Sequence, residues 1–475
     1  MIHRVALSCA TLLLGAGHAL AVPSERPAPL TTVPFQAPAV DKRQLSNGLD
    51  VWITVNREMP VFTVSLTTPR GGWTDPLGRR GLAEVTLQMM LEGAGDKTAA
   101  EVAQQARAIG AELSATADAD MSQLGVEGIS RNLDPTLDLW ASVLLKPSFP
   151  PEEWERIRQR QISDLAVDKT ELNHLASVGL NRLLYGDAYR GVPATESSYN
   201  TISIQDISKW YQTNIVPDGS VVLIGGDVDP DAVIKKLEEL LGQWRGASRA
   251  VPPAPPARPV ADEAMHFVHI PGAEQTMLAA ASLLPPIGDD HADMEIGNAT
   301  LGGSFVSRLN LNLREDKGWT YGASCHLDYK RMGPGRFVCY TSVQSDVSID
   351  ALTEMRAEID RFLGERPATA DEVRYFTSAA VNDFPAGFET TTQILGTTRD
   401  GWLYQWPEDY LATYLTDIQA TTADSVNGAF RRNIDMDQLR WIVIGDRDNY
   451  EAGLAGLGLP VVELDDEGKP KSRAH

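Results

Sequence analysis

Histidines, which are the commonest metal ligands in proteins, are scattered along this sequence. The chain of 475 residues has eight of them, and six lie beyond residue 21: His174, His266, His269, His291, His326 and His475. His266 and His269 are three apart in a segment predicted to be a strand, so their side chains leave from opposite faces. The other four are isolated. The sequence therefore predicts no metal site built by this chain alone.

Two cysteines could form a disulfide. Cys325 and Cys339 lie in alternating segments on either side of loop 331–335, a pattern typical of a β-hairpin. If the hairpin is centred near Met332, the two cysteines face each other within range of a cross-strand disulfide. Two free buried thiols are the alternative. Cys325 and His326 are not expected to form a nucleophile and base, because adjacent side chains of a strand point apart.

The charge balance narrows the classes of partner. The chain has 42 Lys and Arg against 64 Asp and Glu, which gives a formal charge of −22 at pH 7. Such an acidic surface repels phosphate backbones, so we expect no nucleic-acid partner. The sequence contains neither a phosphate-binding glycine-rich loop nor the G-x-S-x-G elbow of serine hydrolases. Nucleotide-driven enzymes and enzymes with a serine nucleophile are therefore disfavoured.

Residues 1–21 predict a signal peptide. A short positive start, Met1-Ile2-His3-Arg4, precedes a mostly small or apolar stretch, and Ala19-Leu20-Ala21 fits the pattern of a cleavage site. The apolar stretch is shorter than the roughly 18 residues that a membrane span needs, and no later run is long enough. We therefore expect an exported protein without a membrane span, located in the periplasm, with secretion as the less favoured alternative.

The rest of the sequence has two halves of similar layout. Alternating segments typical of strands and amphipathic segments typical of helices occur over 41–247 and again over 263–460, with a proline-rich linker at 248–262. The run Val222–Asp227 resembles Trp441–Asp446, 219 positions later, a period that indicates gene duplication rather than a solenoid. We expect an α+β fold of two homologous halves, each a mainly antiparallel sheet with helices packed on it. An extended segment, 22–40, would precede the halves, and a polar tail, 461–475, would follow them.

Two windows, 81–93 and 301–323, carry the pattern of a known family. In the second window, several residues stand at the family's spacing: Gly302-Gly303, Arg308-Leu309, Leu313-Arg314 and Gly318-x-x-Tyr321-Gly322. The chain resembles the pitrilysin/insulinase (inverzincin) family of zinc peptidases from Asn47-Gly48-Leu49 to Gly445-Asp446. That is nearly the whole of the expected mature chain. The resemblance implies the pitrilysin type of fold.

Active members of that family carry H-x-x-E-H in the first window, with two histidines that bind zinc and a glutamate that activates the metal-bound water. On this chain the motif places Glu84 and Gln88 at the histidines and Leu87 at the glutamate. A leucine cannot take a proton from water, and an amide is a poor zinc ligand. The family's further zinc-binding glutamate lies on a long helix, predicted here over 151–175, where only Asp164 is near the expected position. The alternative to no metal is a weak residual site at Glu84 and Asp164.

In the peptidases that this chain resembles, an arginine and a tyrosine seven positions later hold the substrate backbone and the oxygen that becomes negative when water attacks. Arg314 and Tyr321 have that spacing, and a guanidinium and a phenol are suitable donors to an oxyanion. The resemblance also places Gly302, Gly303 and Ser304 beside the substrate strand. The alternative interpretation is structural, with Arg314 in a surface ion-pair cluster and Tyr321 in the core of a strand.

The family includes two-chain enzymes in which one chain holds the zinc and the other supplies the arginine and the tyrosine. This chain resembles the second kind, because it lacks the zinc motif and keeps Arg314 and Tyr321. We therefore expect the non-catalytic subunit of an exported zinc endopeptidase that acts on peptides. It would be inactive alone and completed by a homologous chain that carries H-x-x-E-H and binds the zinc. The alternative is a non-enzymatic structural or peptide-binding homologue of the peptidase fold.

Overall fold

The computed structural model describes residues 35–246, 256–260, 263–331 and 333–471. The predicted signal peptide (1–21), most of the predicted extended segment (22–40) and most of the proline-rich linker (248–262) lie outside these residues. In the described part of the chain, no helix is both long enough and apolar enough to cross a bilayer.

The strands form two six-stranded sheets and one short two-stranded ribbon. In the first half they are β1 (Asp41–Gln44), β2 (Asp50–Val55), β3 (Val61–Thr68), β4 (Gly93–Ala94), β5 (Lys97–Thr98), β6 (Glu112–Ala117), β7 (Ser122–Ile129) and β8 (Val221–Gly226). In the second half they are β9 (Met265–His269), β10 (Gln275–Leu284), β11 (Thr320–Asp328), β12 (Gly335–Gln344), β13 (Arg440–Gly445) and β14 (Val461–Glu463).

The helices pack on these sheets. In the first half they are α1 (Leu82–Met90), α2 (Ala99–Ile109), α3 (Leu133–Leu145), α4 (Pro151–Asp168), α5 (Leu172–Tyr185), α6 (Glu196–Thr201), α7 (Ile204–Asn214) and α8 (Pro230–Leu241). In the second half they are α9 (His291–Asn298), α10 (Arg308–Asn310), α11 (Ser348–Leu363), α12 (Ala370–Asp383), α13 (Thr391–Leu403), α14 (Tyr410–Ala420), α15 (Ala423–Asn433) and α16 (Glu451–Gly456). Two π-helical segments, Ala299–Gly303 and Leu311–Asp316, interrupt the second set.

The two sheets share one topology. The first has the order β1-β2-β8-β3-β7-β6 and the second has the order β11-β12-β10-β13-β9-β14. Strands β2-β8-β3-β7-β6 therefore correspond one by one to β9-β13-β10-β12-β11. In each sheet the central strand, β8 or β13, is parallel to one neighbour and antiparallel to the other. The predicted α+β fold with two homologous, mainly antiparallel halves is confirmed.

The central strands are apolar because both of their faces are covered. All residues of β8 and β13 are buried. In β8, Val222 and Ile224 point into the main core of the first half, whereas Val221 and Leu223 point to the opposite face. Alternate side chains of a strand point to opposite faces. The sequence of a strand that is covered on both faces is therefore a continuous run of apolar residues.

Each half contributes one helix to the sheet of the other half. Helix α5 packs on β10 and β13 of the second sheet, and Gly179 in this helix leaves room for the side chain of Ile442. Helix α13 packs on β8 of the first sheet, where Leu395 contacts Val221 and Leu223. A Cβ on Gly225 of β8 would lie 2.9 Å from Cγ of Leu395. Glycines thus let both crossing helices approach closely.

Two predicted boundaries differ from the structure. The long helix predicted over 151–175 ends at Asp168, and α5 begins at Leu172, because α4 packs on the first half and α5 crosses to the second sheet. The segment predicted as a polar tail, 461–475, is described to residue 471 and begins with β14, which pairs in parallel with β9. Leu464 is fully buried in the core beneath α5. These residues supply backbone partners to the edge of β9 and so belong to the sheet.

A disulfide joins the two strands of the hairpin β11–β12. Cys325 lies directly opposite Cys339 in the strand register, and their sulfur atoms are bonded. Both residues are fully buried. The side chain of Cys325 lies against Gly302, where a Cβ would collide with its sulfur. The disulfide therefore packs directly beneath the glycine pair of the second sequence window.

We expect the disulfide to stabilise the second half measurably. Closing a loop with a sequence separation of 14 residues should contribute about 3 kcal/mol to the free energy of unfolding. The measurement is urea unfolding of the oxidised chain against the double variant Cys325→Ala, Cys339→Ala. The wild-type chain in reducing buffer serves as the control for lost packing, and it should unfold near the variant. A difference below about 1 kcal/mol would contradict the expectation.

Candidate functional site

Helix α1 carries the positions of the degenerate zinc motif, and a buried aspartate fixes its start. The carboxylate of Asp75 accepts hydrogen bonds from the backbone N–H groups of Gly81, at 3.0 Å, and Ala83, at 2.9 Å. Gly81 has φ of 91°, a left-handed conformation that suits glycine. Burial raises the pKa of Asp75 to about 7, against the lowering effect of these hydrogen bonds. The carboxylate thus caps the helix and sets its direction.

Glu84 and Gln88 are tied into a hydrogen-bond network with helix α4. Gln88 Nε2 donates to Glu84 Oε1 at 3.2 Å. Gln88 Oε1 accepts from Arg160, at 2.7 Å, and from Gln161, at 3.2 Å. Burial raises the pKa of Glu84, an effect that Arg160 opposes and the carboxylate of Asp164 adds to. Gln88 stands at a histidine position of the family motif, and its amide oxygen therefore already accepts a hydrogen bond from the guanidinium of Arg160.

The donor set at these positions does not fit a zinc ion. Leu87 is fully buried in the core of the first half, so its side chain fills space where the family has its catalytic glutamate. Asp164 is exposed on α4. In the described part of the chain, no three His, Cys, Asp or Glu side chains come together in a group that could hold a metal. A zinc ion here would also face the positive charge of Arg160.

Arg314 lies in the π-helical segment Leu311–Asp316. Its guanidinium stacks on Phe305, 4.0 Å from the ring centroid, and donates to the carboxylate of Glu315 at 2.9 Å. The ion pair with Glu315 matches part of the structural alternative. The stacking on Phe305, an exposed side chain, also orients the planar guanidinium. Irregular π-helical turns are frequent at functional sites.

Tyr321 is 94% exposed at the start of β11. The strand register shifts between Thr320 and Ala323, which marks a bulge at Tyr321 and Gly322. A bulge re-aims the side chains that it contains. Tyr321 is therefore not a core residue of a strand, and the structural interpretation of this residue is wrong. Its phenol is free of the sheet and faces solvent.

Gly302 and Gly303, predicted to flank the substrate strand together with Ser304, pack closely against neighbouring side chains. Gly302 and Gly303 end the π-helical segment Ala299–Gly303, and Ser304 follows in an extended conformation. The side chain of Asn298 occupies the space that a Cβ on Gly303 would need, and Asn298 Nδ2 donates to the carbonyl of Cys325 at 3.0 Å. Any larger side chain at either glycine would collide with these neighbours. The glycine pair is thus anchored to β11, the strand that carries Tyr321.

The structure does not bring the two motifs of this chain together. Glu84 lines a cavity of about 360 Å³ that is also lined by Asp328, at the far end of β11. Tyr321 is the second residue of the same strand, and the seven residues from there to Asp328 span roughly 23 Å. Tyr321 therefore lies at the opposite end of the hairpin from the degenerate motif.

Three residues at these sites escaped the sequence interpretation. Phe305 stands inside the second window, and an aromatic residue in a glycine- and serine-rich segment was a usable signal. Arg160 gave no such signal, because its role depends on how α4 lies against α1. Arg80, which lines the cavity of Glu84 and stacks on Tyr189, directly precedes the first window but has no fixed spacing to any residue of the family pattern.

Comparisons with known proteins place both halves. The family model of insulinase (peptidase family M16) matches residues 51–202, and the model of the peptidase M16 inactive domain matches residues 201–375. The non-peptidase homolog YmxG of Helicobacter pylori is 20% identical over 419 residues, which are 87% of this chain and 96% of that protein.

Solved structures share the fold. The crystal structure of a peptidase M16 inactive domain from Pseudomonas fluorescens has a TM-score of 0.78 at 23% identity, over 86% of this chain and 98% of that one. The periplasmic protease PqqL from Escherichia coli has a TM-score of 0.73 at 15% identity. The PqqL match covers 92% of this chain but 49% of that chain.

We expect that the buried position of Leu87 prevents simple restoration of a catalytic glutamate. The variant Leu87→Glu places a carboxylate among apolar side chains, which should lower the free energy of unfolding by several kcal/mol. The loss should grow as pH rises above about 5, since ionisation of the buried acid is then required. Denaturant unfolding at two pH values measures it, with Leu87→Met as the volume-matched control. A stable variant with a pH-independent midpoint would contradict this account of α1.

Proposed function

The chain belongs to the insulinase (peptidase M16) family as an inactive homologue, and we propose that it is the non-catalytic subunit of a heteromeric zinc endopeptidase. In this proposal Arg314 and Tyr321 act in trans on the substrate at the zinc site of a homologous partner chain. The observation that carries the proposal is the 94% exposure of Tyr321 on β11, the strand that the π-helical segment of Arg314 contacts. Because the side chain of Tyr321 is exposed, it does not contribute to the packing of the core.

The two side chains suit the stabilisation of a negative oxygen. A phenol O–H and a guanidinium are both hydrogen-bond donors, and the guanidinium carries a permanent positive charge. Stacking on Phe305 limits the motion of Arg314, so less order has to be created when substrate binds. The partner's zinc would supply the activated water. This chain would hold the peptide carbonyl and the charge that develops on its oxygen.

The outer edge of the second sheet is held by the segments beside the candidate site. Strand β11 is the last strand of its sheet, but Asn310 bonds to the backbone N–H and carbonyl of Ala323, at 2.9 and 2.6 Å, and Asn298 donates to the carbonyl of Cys325. The glycine pair 302–303 lies against β11 through Cys325. The exposed phenol of Tyr321, the second residue of β11, therefore projects from an edge that is fixed in place.

The need for a partner follows from the first half. Glu84 and Gln88 bond to each other, and Arg160 occupies the amide oxygen. Hydrolysis would therefore require a metal from outside this chain. The match to PqqL, in which this chain covers only 49% of the larger protein, supports a complete enzyme built from about twice this length. The signal peptide predicted over 1–21 and the disulfide Cys325–Cys339 support a periplasmic location.

We expect the variant Tyr321→Phe to lower kcat of the complex with a zinc-bearing partner by about 10²–10³-fold, because one oxyanion donor is lost. Arg314→Lys should also reduce kcat/KM, since lysine cannot donate in the planar fork geometry. The assay is peptide cleavage by the purified complex, with complex formation checked by gel filtration. Tyr375→Phe is the matched control, because Tyr375 is an exposed tyrosine on α12, 57% accessible, outside the site.

Full activity of the Tyr321→Phe complex would contradict the proposal. The same holds if the complex with wild-type chain cleaves no peptide although the partner has bound its zinc. Either result would favour the non-enzymatic alternative, a structural or peptide-binding homologue. The name of the Helicobacter pylori relative, a non-peptidase homolog, agrees with that alternative and also with an inactive subunit.

A further inference from the structure

A polar cavity of about 360 Å³ lies beside the start of α1, and we call it the α1 cavity. It is lined by the loop that precedes α1, the end of β6, helix α5 with the turn that follows it, and the hairpin ends of β11 and β12. Its size is at the lower end of small-molecule pockets, which measure about 300–1,000 Å³. Equal numbers of acidic and basic side chains line it. The α1 cavity is therefore built from charges of both signs.

Most of the cations that line the α1 cavity are neutralised by neighbours. Arg190 pairs with Asp120 at 2.5 Å. Lys330 and Arg336 both pair with Asp328, and Arg336 lies 3.1 Å from its carboxylate. These pairs brace the wall of the cavity and have little charge left for a ligand.

Arg80 differs from the other cations. It is 4% exposed, it lines the cavity, and its Nε has no hydrogen-bond partner among the described residues. Its guanidinium stacks on Tyr189, 4.0 Å from the ring centroid, and one nitrogen donates to the backbone carbonyl of Asp75 at 3.2 Å. The carboxylate of Asp75 is bound to the N-terminus of α1 and forms no ion pair with Arg80 in the described residues. A buried guanidinium with free donors calls for an anionic group.

Glu84 provides the complementary charge. It lines the same cavity four residues after Arg80. Its hydrogen-bond partners Gln88 and Gln161 are neutral, and the charge of Arg160 acts on it without a direct ion pair among the described residues. A second carboxylate, that of Asp118, lines the cavity as well. A simple anion would meet these acids, and a simple cation would meet Arg80. A ligand that carries both charges satisfies both groups.

We propose that the α1 cavity binds a small zwitterion of amino-acid or dipeptide size, with its carboxylate on Arg80 and its ammonium group at Glu84. The guanidinium of Arg80 is held on the ring of Tyr189, and a guanidinium is a strong charge-assisted donor to a carboxylate. The cavity volume admits a ligand of this size. The site thus occupies the region of the lost zinc motif but serves a different ligand, and it needs no partner chain.

The test is calorimetric titration of the full chain, without partner, with the dipeptide alanyl-alanine. N-acetyl-alanyl-alanine lacks the ammonium group, alanyl-alanine amide lacks the carboxylate, and inorganic phosphate tests for a simple anion site. We expect saturable binding of the dipeptide, with each blocked form weaker by about ten-fold or more. Phosphate should bind no better than the blocked dipeptides.

Variants assign the two contacts. Arg80→Gln should weaken the dipeptide about ten-fold or more, whereas Arg107→Gln, at an exposed arginine on α2, should leave its binding unchanged. Glu84→Gln should weaken the dipeptide but not its N-acetyl form. Thermal unfolding shows whether each variant is folded. If Arg80→Gln does not fold, the binding of the dipeptide to Glu84→Gln and of the blocked ligands to the wild-type chain tests the proposal.

Three results would overturn the inference. They are no dipeptide binding at millimolar concentration, equal binding of the blocked forms, and binding of phosphate in place of the dipeptide. None of them bears on the role of Arg314 and Tyr321, since no partner or cleavage enters the experiment. Conversely, full activity of the Tyr321→Phe complex would not contradict ligand binding in the α1 cavity.

Discussion

The hydrogen bond between Arg160 and Gln88 determines whether the first half of this molecule can bind a metal ion at the degenerate zinc motif. The guanidinium lies 2.7 Å from Gln88 Oε1, so a positive charge is fixed against one position of the degenerate zinc motif. Glu84 is joined to Gln88 in the same network, and Leu87 points into the core. Helix α1 is therefore still capped by Asp75, and its polar side chains Glu84 and Gln88 form hydrogen bonds within the protein. The chemistry left to the chain lies elsewhere.

The exchange of helices between the halves explains how the remaining site stays ordered. Helix α5 lies on the second sheet and α13 on the first, and both cross on glycines. The second sheet is thereby covered on both faces, and its hairpin β11–β12 is braced further by a buried disulfide. The glycine pair rests on that disulfide, and Tyr321 projects from the bulge at the start of the same strand. A braced scaffold thus carries the exposed phenol of Tyr321.

Much of this could be predicted from the sequence because it depends on local pattern. The repeated α+β halves follow from the similar runs at Val222 and Trp441, and the hairpin register follows from the spacing of Cys325 and Cys339 around loop 331–335. The remainder depends on contacts between distant residues. The break before Leu172 exists because α5 packs on Ile442 of the other half, and Val461 is a strand residue because it pairs with Met265. The contact of Arg160 with Gln88 likewise requires the packing of α4 on α1, which no spacing reveals.

The zinc content of the isolated chain tests the central claim most directly. The chain would be purified without partner, incubated with zinc, dialysed, and measured by atomic emission together with peptide cleavage. The account predicts well below one zinc per chain and no cleavage, because the positions of the family motif offer a carboxylate, a buried leucine and an amide already bound to a guanidinium. One tightly held zinc per chain, or cleavage by the chain alone, would contradict it.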